Sequence, residues 1–303
     1  MNEIRERLKQ NRPTLSESSL KTYTSILSNL YKKVFPDTAL DLNKFSNHKK
    51  FLNYLKDTDG SKRKTYLSSL VVISPDTEEY RTLMNKDGQE YNNKKKLQKK
   101  TEKEEENWVD QEELTTIYNN LEQEAKRIFK MKNPTPQDLQ TAQNYVILSL
   151  VSGKHIAIRR SLDWTEMKWK NYSTTEDNFL ERGKKGWKFF FNVYKTNKFL
   201  HEQEVVIPKE LKKILTSWLK LLESIYGETD YLLVDSKGGK LTPTKITQRL
   251  NSIFGKKASI NILRHSFLSE KYKNMPALED LENEATAMGH SLKEHLEYIK
   301  KDD

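Results

Sequence analysis

Apolar residues recur at helical spacing along most of the first 85 residues of the chain. The clearest series follows a candidate N-cap at Ser16 or Ser18 and continues from Leu20 to Val34. Three shorter series lie at residues 45–55, 66–71 and 80–84. A repeat of three or four residues places apolar side chains on one face of a helix. The pattern therefore predicts a small helical domain over residues 1–85.

The apolar pattern stops over residues 86–107, where charged side chains dominate. Lys94, Lys95 and Lys96 precede a block of glutamates at 104–106. Blocks of charge are usually solvated, and lysines in such a block can also follow a phosphate backbone. We interpret residues 86–107 as a charged linker and the three lysines as candidate nucleic-acid contacts.

Helical spacing returns after Trp108 and then gives way to a different period. Series at 114–128 and 135–150 predict two helices, and Pro208 begins another. Between them, the aromatic and β-branched residues 187–194 and 205–207 flank a turn-like segment, which predicts a β-hairpin. Further helices are expected at 244–254, 263–272 and 278–288. We predict a mainly α fold with a small β-sheet or hairpin, and a second domain over residues 108–303.

Composition and charge narrow the choice of partners. The 53 lysines and arginines exceed the 43 acidic residues, which gives a net charge of +10 and suits a polyanion such as nucleic acid. The absence of cysteine excludes disulfides, thiolate zinc sites and a cysteine nucleophile. No apolar run approaches the roughly 20 residues that cross a bilayer. The first residues lack the apolar core of a secretion signal, so we expect an intracellular protein, in a compartment that the sequence leaves open.

Five residues in the second part of the chain share one chemistry, the handling of a phosphate group. They are Arg160, Lys195, Arg264, His290 and Tyr298. Guanidinium groups bind phosphate bidentately, an ammonium can protonate a departing alkoxide, and a phenol can attack phosphorus. Taken singly, each is more often an ion-pair partner or a packing residue. Together they indicate phosphoryl transfer on nucleic acid without a metal or cofactor, and the sequence has no Gly-x-x-x-x-Gly-Lys-Ser/Thr loop.

The sequence around the first two of these residues resembles the tyrosine recombinases or integrases, which are related to type IB topoisomerases. Arg160 precedes one acidic and three apolar residues in that family's register, namely Asp163, Trp164, Met167 and Trp169. The adjacent Arg159 fits the register less well and stays an alternative. The segment Tyr194-Lys195-Thr196-Asn197-Lys198 is similar to the family's lysine-bearing hairpin turn.

Two further motifs extend the resemblance to about residues 108–303. The segment Asn261-Ile262-Leu263-Arg264-His265 is similar to the family's His-x-x-Arg-His box. Met288-Gly289-His290-Ser291 resembles its Gly-His-Ser box, and Tyr298 follows eight residues after His290, where the family has its nucleophile. The order of the motifs makes the resemblance specific, although each motif alone is weak.

The resemblance implies a helical core-binding domain and an α+β catalytic domain that form a basic clamp around double-stranded DNA, with four protomers on the DNA. It also implies that Tyr298 forms a 3′-phosphotyrosyl intermediate and that Lys195 is the general acid. The transition state would be stabilised by Arg160, Arg264 and His290. Further candidate DNA contacts are Arg159, Lys198 and His265. A mobile genetic element or a large DNA virus is the source that the resemblance favours.

Two features depart from the family pattern. Asn261 occupies the position of the box's first histidine, and an amide can donate a hydrogen bond to phosphate but cannot exchange protons near neutral pH. Only Ile299–Asp303 follow Tyr298, which implies either a different assembly or a longer natural chain. Two alternatives stay open: a topoisomerase-like enzyme that relaxes DNA as a monomer, and a DNA-binding protein with a decayed site.

Overall fold

Five helices and one 3₁₀ helix build the N-terminal part of the computed structural model, which describes residues 2–298. The helices are α1 (Asn2–Asn11), α2 (Glu17–Val34), α3 (His48–Leu55), α4 (Gly60–Ile73) and α5 (Glu78–Lys96), and the 3₁₀ helix covers Leu42–Ser46. Side-chain caps mark the starts of α2 and α4, where Ser16 Oγ and Asp59 Oδ1 accept backbone N–H groups of the first turn. The helical prediction for this part of the chain is confirmed.

The core of this part contains aromatic rings packed among aliphatic side chains. Phe45 and Phe51 stack with ring centroids 5.5 Å apart, and the buried Tyr80 hydroxyl donates a hydrogen bond to the Phe45 carbonyl at 2.7 Å. The buried Asp87 accepts two hydrogen bonds from the Arg63 guanidinium, at 2.7 and 2.9 Å. This bidentate pair joins α4 to α5 and gives the buried carboxylate of Asp87 a charged partner.

Two segments are helical although their sequences show no extended apolar repeat. Helix α1 has no counterpart in the sequence-based prediction, because only Ile4 and Leu8 of its residues are buried. Residues 86–107, interpreted as a linker, contain the last turns of α5 and a short helix, α6 (Glu102–Glu106). A capping box between Thr101 and Glu104 begins α6. Local capping, and not burial, therefore defines this short helix.

The described residues after α6 form further helices and one small sheet. The helices are α7 (Gln111–Ile128), α8 (Pro136–Val151), α9 (Ser161–Thr165), α10 (Asn197–Leu200), α11 (Lys209–Tyr226), α12 (Pro243–Phe254), α13 (Ile260–Lys271), α14 (Leu278–Ala287) and α15 (Leu292–Tyr298). The strands are β1 (Met167–Lys168), β2 (Asn178–Gly183), β3 (Gly186–Phe191) and β4 (Gln203–Val206). The predicted mainly α fold with one small β-sheet is confirmed.

The sheet has the strand order β1-β2-β3-β4, in which β1 runs parallel to β2 and the other pairs are antiparallel. Strands β3 and β4 form the predicted hairpin, and the segment between them carries Lys195. Trp164 of α9 meets the rings of Phe189 and Phe191 edge-on, with centroids 5.1 and 5.4 Å apart. These aromatic contacts hold β3 against α9, which begins directly after Arg160.

The chain divides into two compact units. One contains the described residues up to Lys99 together with those from Pro276 onward, and the other is Lys100–Met275. The predicted segments 1–85, 86–107 and 108–303 divide the chain at other positions, and as independently folding domains they remain a prediction. No helix within residues 2–298 is both long enough and apolar enough to cross a membrane. Ile299–Asp303 lie outside the described residues.

Candidate active site

Arg160 and Arg264 lie close enough in the Lys100–Met275 unit for their charges to interact. Partial burial, and after it the positive charge of Arg160, lowers the pKa of Arg264, while the carboxylate of Asp163 opposes this shift. Arg160 is the N-cap residue of α9, and Arg264 lies in the second turn of α13. No hydrogen bond or ion pair within residues 2–298 engages either guanidinium. Two neighbouring cations of this kind form a candidate site for an anion with several oxygens.

The guanidinium of Arg159, in contrast, is occupied within the protein. It donates one hydrogen bond to Asp163 Oδ2 at 2.9 Å and another to Gln203 Oε1 at 2.7 Å. It also lies over the ring of Phe191, 3.7 Å from the centroid. These contacts join α9, β3 and β4 beside Arg160. Arg159 therefore shapes the surroundings of Arg160, and its contact with DNA remains a prediction.

Asp163, the acidic residue of the first motif, is buried next to Arg159 and Arg160. Burial raises the pKa of its carboxyl, and the charges of Arg159 and Arg160 oppose the increase. Its Oδ2 accepts from Arg159, whereas Oδ1 has no hydrogen-bond partner among the described residues. Its N–H also donates to the Arg160 carbonyl at 3.1 Å. Asp163 thus fixes the backbone and the charge environment from which Arg160 projects.

Lys195 is exposed on the segment between β3 and β4. In the part of the chain that the structure describes, no side-chain contact engages its ammonium or that of Lys198. The preceding Tyr194 is buried, and its hydroxyl donates to the His201 carbonyl at 2.5 Å. Lys195 therefore projects into solvent from a backbone segment that is fixed at Tyr194, as the proposed proton donor would need to.

Asn178, the first residue of β2, has a role that the sequence did not reveal. Its amide donates to the carbonyls of Asp163 and Val193 and accepts the N–H groups of Asn192 and Val193. It thereby connects the helix that follows Arg160 with the segment that carries Lys195. A single asparagine at the start of an apolar run, Asn178-Phe179-Leu180, is the only sequence signal of this connection.

Helix α13 presents Asn261, Arg264 and His265 on one face, because they are three and four residues apart. Asn261 is exposed, and no side-chain hydrogen bond engages it within residues 2–298. His265 Nδ1 lies 3.0 Å from Glu104 Oε1, the carboxylate that also closes the capping box of α6. This face therefore leaves the amide and the guanidinium open to a ligand, while the His265 ring is already engaged.

The Gly-His-Ser segment connects α14 to α15. The N–H groups of Gly289 and His290 donate back to carbonyls in the last turn of α14, both at 3.0 Å, which is the Schellman ending of a helix. Gly289 supplies the positive φ, +77°, that this ending requires. Ser291 Oγ then accepts the N–H of Glu294 at 3.3 Å and begins α15. Glycine and serine thus have local structural tasks, and the His290 side chain remains for other contacts.

His290 lies against the predicted nucleophile. Its ring meets that of Tyr298 edge-on, with centroids 5.3 Å apart and planes at 82°. His290 Nε2 is 3.1 Å from His295 Nδ1, and His295 Nε2 is 3.5 Å from a carboxylate oxygen of Glu284. Tyr298 itself is exposed. The structure therefore brings together the two motif residues that lie nearest the end of the described chain.

The three lysines at the end of α5 differ in their surroundings. Lys96 forms an ion pair with Glu282 of α14, with Nζ and Oε2 2.9 Å apart. Lys95 lies over the ring of Tyr91, 4.8 Å from the centroid. Lys94 is exposed, and no contact engages its ammonium within the described residues. Of the three, Lys94 is the cation most available to a phosphate group.

The predicted site residues fall into two groups. The Lys100–Met275 unit contains Arg160, Lys195, Asn261 and Arg264, whereas His290 and Tyr298 belong to the other unit. In the first group, the charges of Arg160 and Arg264 interact, and in the second, the rings of His290 and Tyr298 are in contact. The assembly of both groups into one active site remains a prediction. No three His, Asp or Glu side chains among the described residues are grouped as they would be around a metal ion.

No protein-family model matches the chain, and neither does any curated protein sequence. Among solved structures, XerA recombinase is 16% identical with a TM-score of 0.36, over 100% of this chain and 94% of that protein. A lambda integrase dimer bound to a COC' core site is 13% identical with a TM-score of 0.43, over 100% of this chain and 79% of that one. XerH site-specific recombinase bound to difH substrate is 16% identical with a TM-score of 0.38, over 97% of this chain and 90% of that protein.

Proposed function

We propose that the chain is a site-specific DNA recombinase or integrase that cuts and rejoins DNA through a 3′-phosphotyrosyl intermediate. The observation that carries this proposal is the neighbouring pair Arg160 and Arg264, whose guanidinium groups no carboxylate of the described residues binds. A phosphodiester has two non-bridging oxygens for such a pair. Negative charge on these oxygens grows in the transition state, so the pair stabilises the transition state more than the ground state.

In the proposed reaction, the exposed Tyr298 hydroxyl gives up its proton to solvent, Oη attacks phosphorus, and the bond to the 5′ oxygen breaks. The 3′ phosphate is then esterified to the tyrosine, and the 5′ oxygen leaves as a hydroxyl after taking a proton from Lys195 Nζ. Attack by the 5′-hydroxyl of another strand, which returns its proton to Lys195 Nζ, joins the strands and releases Tyr298, which regains a proton from solvent. Because the phosphotyrosyl ester keeps the energy of the broken bond, the exchange needs neither ATP nor a metal.

His290 and Asn261 have supporting roles in this proposal. The rings of His290 and Tyr298 are in contact, so the imidazole would lie beside the phosphate when Tyr298 attacks it. Asn261 shares a helix face with Arg264 and contributes one hydrogen-bond donor to a phosphate oxygen where the family has a histidine. In this proposal the two arginines and Asn261 stabilise the charge on the phosphate, and Lys195 gives a proton to the leaving group.

Double-stranded DNA is the proposed partner, in a homotetramer that exchanges strands between two duplexes. The net charge of +10 favours a polyanion, and the exposed Lys94 and Lys198 are candidate backbone contacts. The proposal includes an origin in a mobile genetic element or a virus, whose ends would then supply the natural DNA site.

The test is covalent capture of the protein on labelled DNA that carries a nick near the cleavage site, so that the short leaving strand diffuses away. We expect a metal-independent adduct on a denaturing gel with the wild-type protein and none with Tyr298→Phe. An adduct that persists in Tyr298→Phe would show that another residue is the nucleophile. Binding without any adduct would instead support a DNA-binding protein with a decayed site, and relaxation of plasmids of any sequence would support a topoisomerase.

A further inference from the structure

We propose that Asn178 is a positioning residue for the general acid, because its side chain fixes the segment from which Lys195 projects. The inference rests on the proposed function, in which Lys195 protonates the leaving 5′ oxygen. Asn178 does not touch the substrate in this proposal. It acts on the backbone near Lys195 and on the helix that follows Arg160.

The amide of Asn178 uses all of its hydrogen-bonding capacity in the interior of the protein. Nδ2 donates to the Asp163 carbonyl at 3.0 Å and to the Val193 carbonyl at 2.8 Å. Oδ1 accepts the N–H of Asn192 at 2.8 Å and that of Val193 at 2.7 Å. The residue is 0% exposed. Buried amide bonds of this kind are strong in a low-dielectric interior and costly to leave unmade.

These bonds connect two segments that carry predicted catalytic residues. Asp163 belongs to α9, three residues after Arg160, and Val193 lies two residues before Lys195. The start of the segment that carries Lys195 is held further by Asn192, whose side chain donates to the Thr174 and Asp177 carbonyls at 3.0 and 2.9 Å. The exposed Lys195 thus projects from a segment whose preceding residues, Asn192 and Val193, are fixed relative to α9.

The chemistry of the site requires an amide. Aspartate at position 178 would lose both donors and would face two carbonyl oxygens, and alanine would leave four backbone groups without their partner. Either change would free the segment before Lys195. A misplaced proton donor slows only the step that needs the proton, so the defect should depend on the leaving group.

The experiment compares cleavage of ordinary DNA with cleavage of DNA in which sulfur replaces the bridging 5′ oxygen at the scissile phosphate. A thiolate leaves without protonation, so a variant that lacks only the general acid regains activity on the sulfur DNA. We expect Asn178→Ala to form adduct about 10- to 100-fold more slowly than wild type on ordinary DNA. On sulfur DNA we expect a rate within about threefold of wild type, as for Lys195→Ala, because α9 keeps its contacts with Arg159 and β3 when the amide is lost. Arg264→Ala should stay slow on both.

Gln143 provides a matched control for the loss of a buried amide. This residue of α8 donates from its side chain to the Val234 carbonyl at 2.9 Å and accepts the Val234 N–H at 2.7 Å, and neither bond involves the segment that carries Lys195. Gln143→Ala should therefore affect both DNAs equally. Thermal unfolding of each variant checks that it is folded, and Asn178→Ser, whose hydroxyl can replace part of the hydrogen bonding of the amide, replaces Asn178→Ala if the alanine variant is unfolded.

The outcomes separate this inference from the proposed function. If sulfur DNA rescues Lys195→Ala but not the Asn178 variant, or if the Asn178 variant cleaves ordinary DNA normally, the positioning role is wrong and the proposed function stands. If sulfur DNA does not rescue Lys195→Ala, the general-acid role of Lys195 is wrong. An absence of adduct with wild-type protein overturns the proposed function, and this inference with it.

Discussion

The phenolic hydroxyl of Tyr298 donates a hydrogen bond to Glu294 Oε1, 3.1 Å away and one turn earlier in α15. A carboxylate in this position accepts the hydrogen that the proposed reaction must remove from the phenol. The hydroxyl of the predicted nucleophile therefore forms a hydrogen bond within its own helix, beside the ring of His290. Attack on phosphorus requires this hydrogen bond to break.

We expect Glu294→Gln to increase the rate of adduct formation, by at most about fivefold, because an exposed charged contact contributes roughly 1 kcal/mol or less. The measurement is single-turnover capture on nicked DNA at saturating DNA concentration. Glu279→Gln removes the same charge from the exposed surface of α14 and controls for a general effect of net charge. A rate for Glu294→Gln below that of the control would show that the carboxylate assists the reaction, as a base would.

Arg160 and Arg159 offer a matched pair of substitutions, because only one of them is occupied within the protein. We expect Arg160→Lys to slow adduct formation by about 10²–10³-fold with little change in stability, since one phosphate-binding fork is lost. Arg159→Lys should instead lower the free energy of unfolding by about 1–3 kcal/mol, because the bonds to Asp163 and Gln203 are disturbed. Denaturant unfolding and single-turnover capture measure the two effects. The reverse pattern would make Arg159 the phosphate ligand.

The elements with a strong apolar period could be predicted from the sequence, and the contacts made by single polar residues could not. The hairpin was predictable because the aromatic residues of β3 alternate, with Phe189 and Phe191 facing the core. The bond from Arg159 to Gln203 and the bond from Asn178 to Asp163 join residues that are 44 and 15 positions apart, respectively, and no local pattern marks such pairs. The Gly-His-Ser motif contains examples of both kinds. The structural roles of its glycine and serine could be predicted from the rules for helix ends and caps, whereas the contact between His290 and Tyr298 depends on the position of α15.

His155 should make the stability of the protein depend on pH. Burial, and after it the charge of Lys154, lowers the pKa of the His155 imidazole, while Glu210 and Glu122 oppose the shift. Its Nε2 lies 2.7 Å from the Tyr118 hydroxyl, a contact that the neutral ring can accept and the protonated ring cannot. The unfolded chain therefore binds this proton more readily than the folded one. The stabilisation is complete above the unfolded pKa of about 6.5 and is lost as the pH falls towards the lower, folded pKa.

We accordingly expect the free energy of unfolding to be lower at about pH 5.5 than at about pH 7.5, and His155→Gln to reduce that difference. Denaturant unfolding of wild type and variant at both pH values measures it, and comparing the two proteins cancels the contribution of the other histidines. Equal pH dependence in both proteins would exclude His155 as a source of the effect.

The end of α5 should contact DNA mainly through Lys94, because the other two lysines already have partners in the protein. We expect Lys94→Gln to weaken DNA binding and to reduce the slope of log affinity against log salt concentration by about 1, the effect of losing one phosphate contact. Lys96→Gln should change the slope less, since its ammonium is paired with Glu282 at 2.9 Å. Fluorescence anisotropy over a series of salt concentrations measures both, and Lys94→Arg, which keeps the charge, should retain the wild-type slope. An unchanged slope for Lys94→Gln would remove this end of α5 from the DNA interface, whereas an equal loss in both glutamine variants would mean that DNA displaces Glu282 from Lys96.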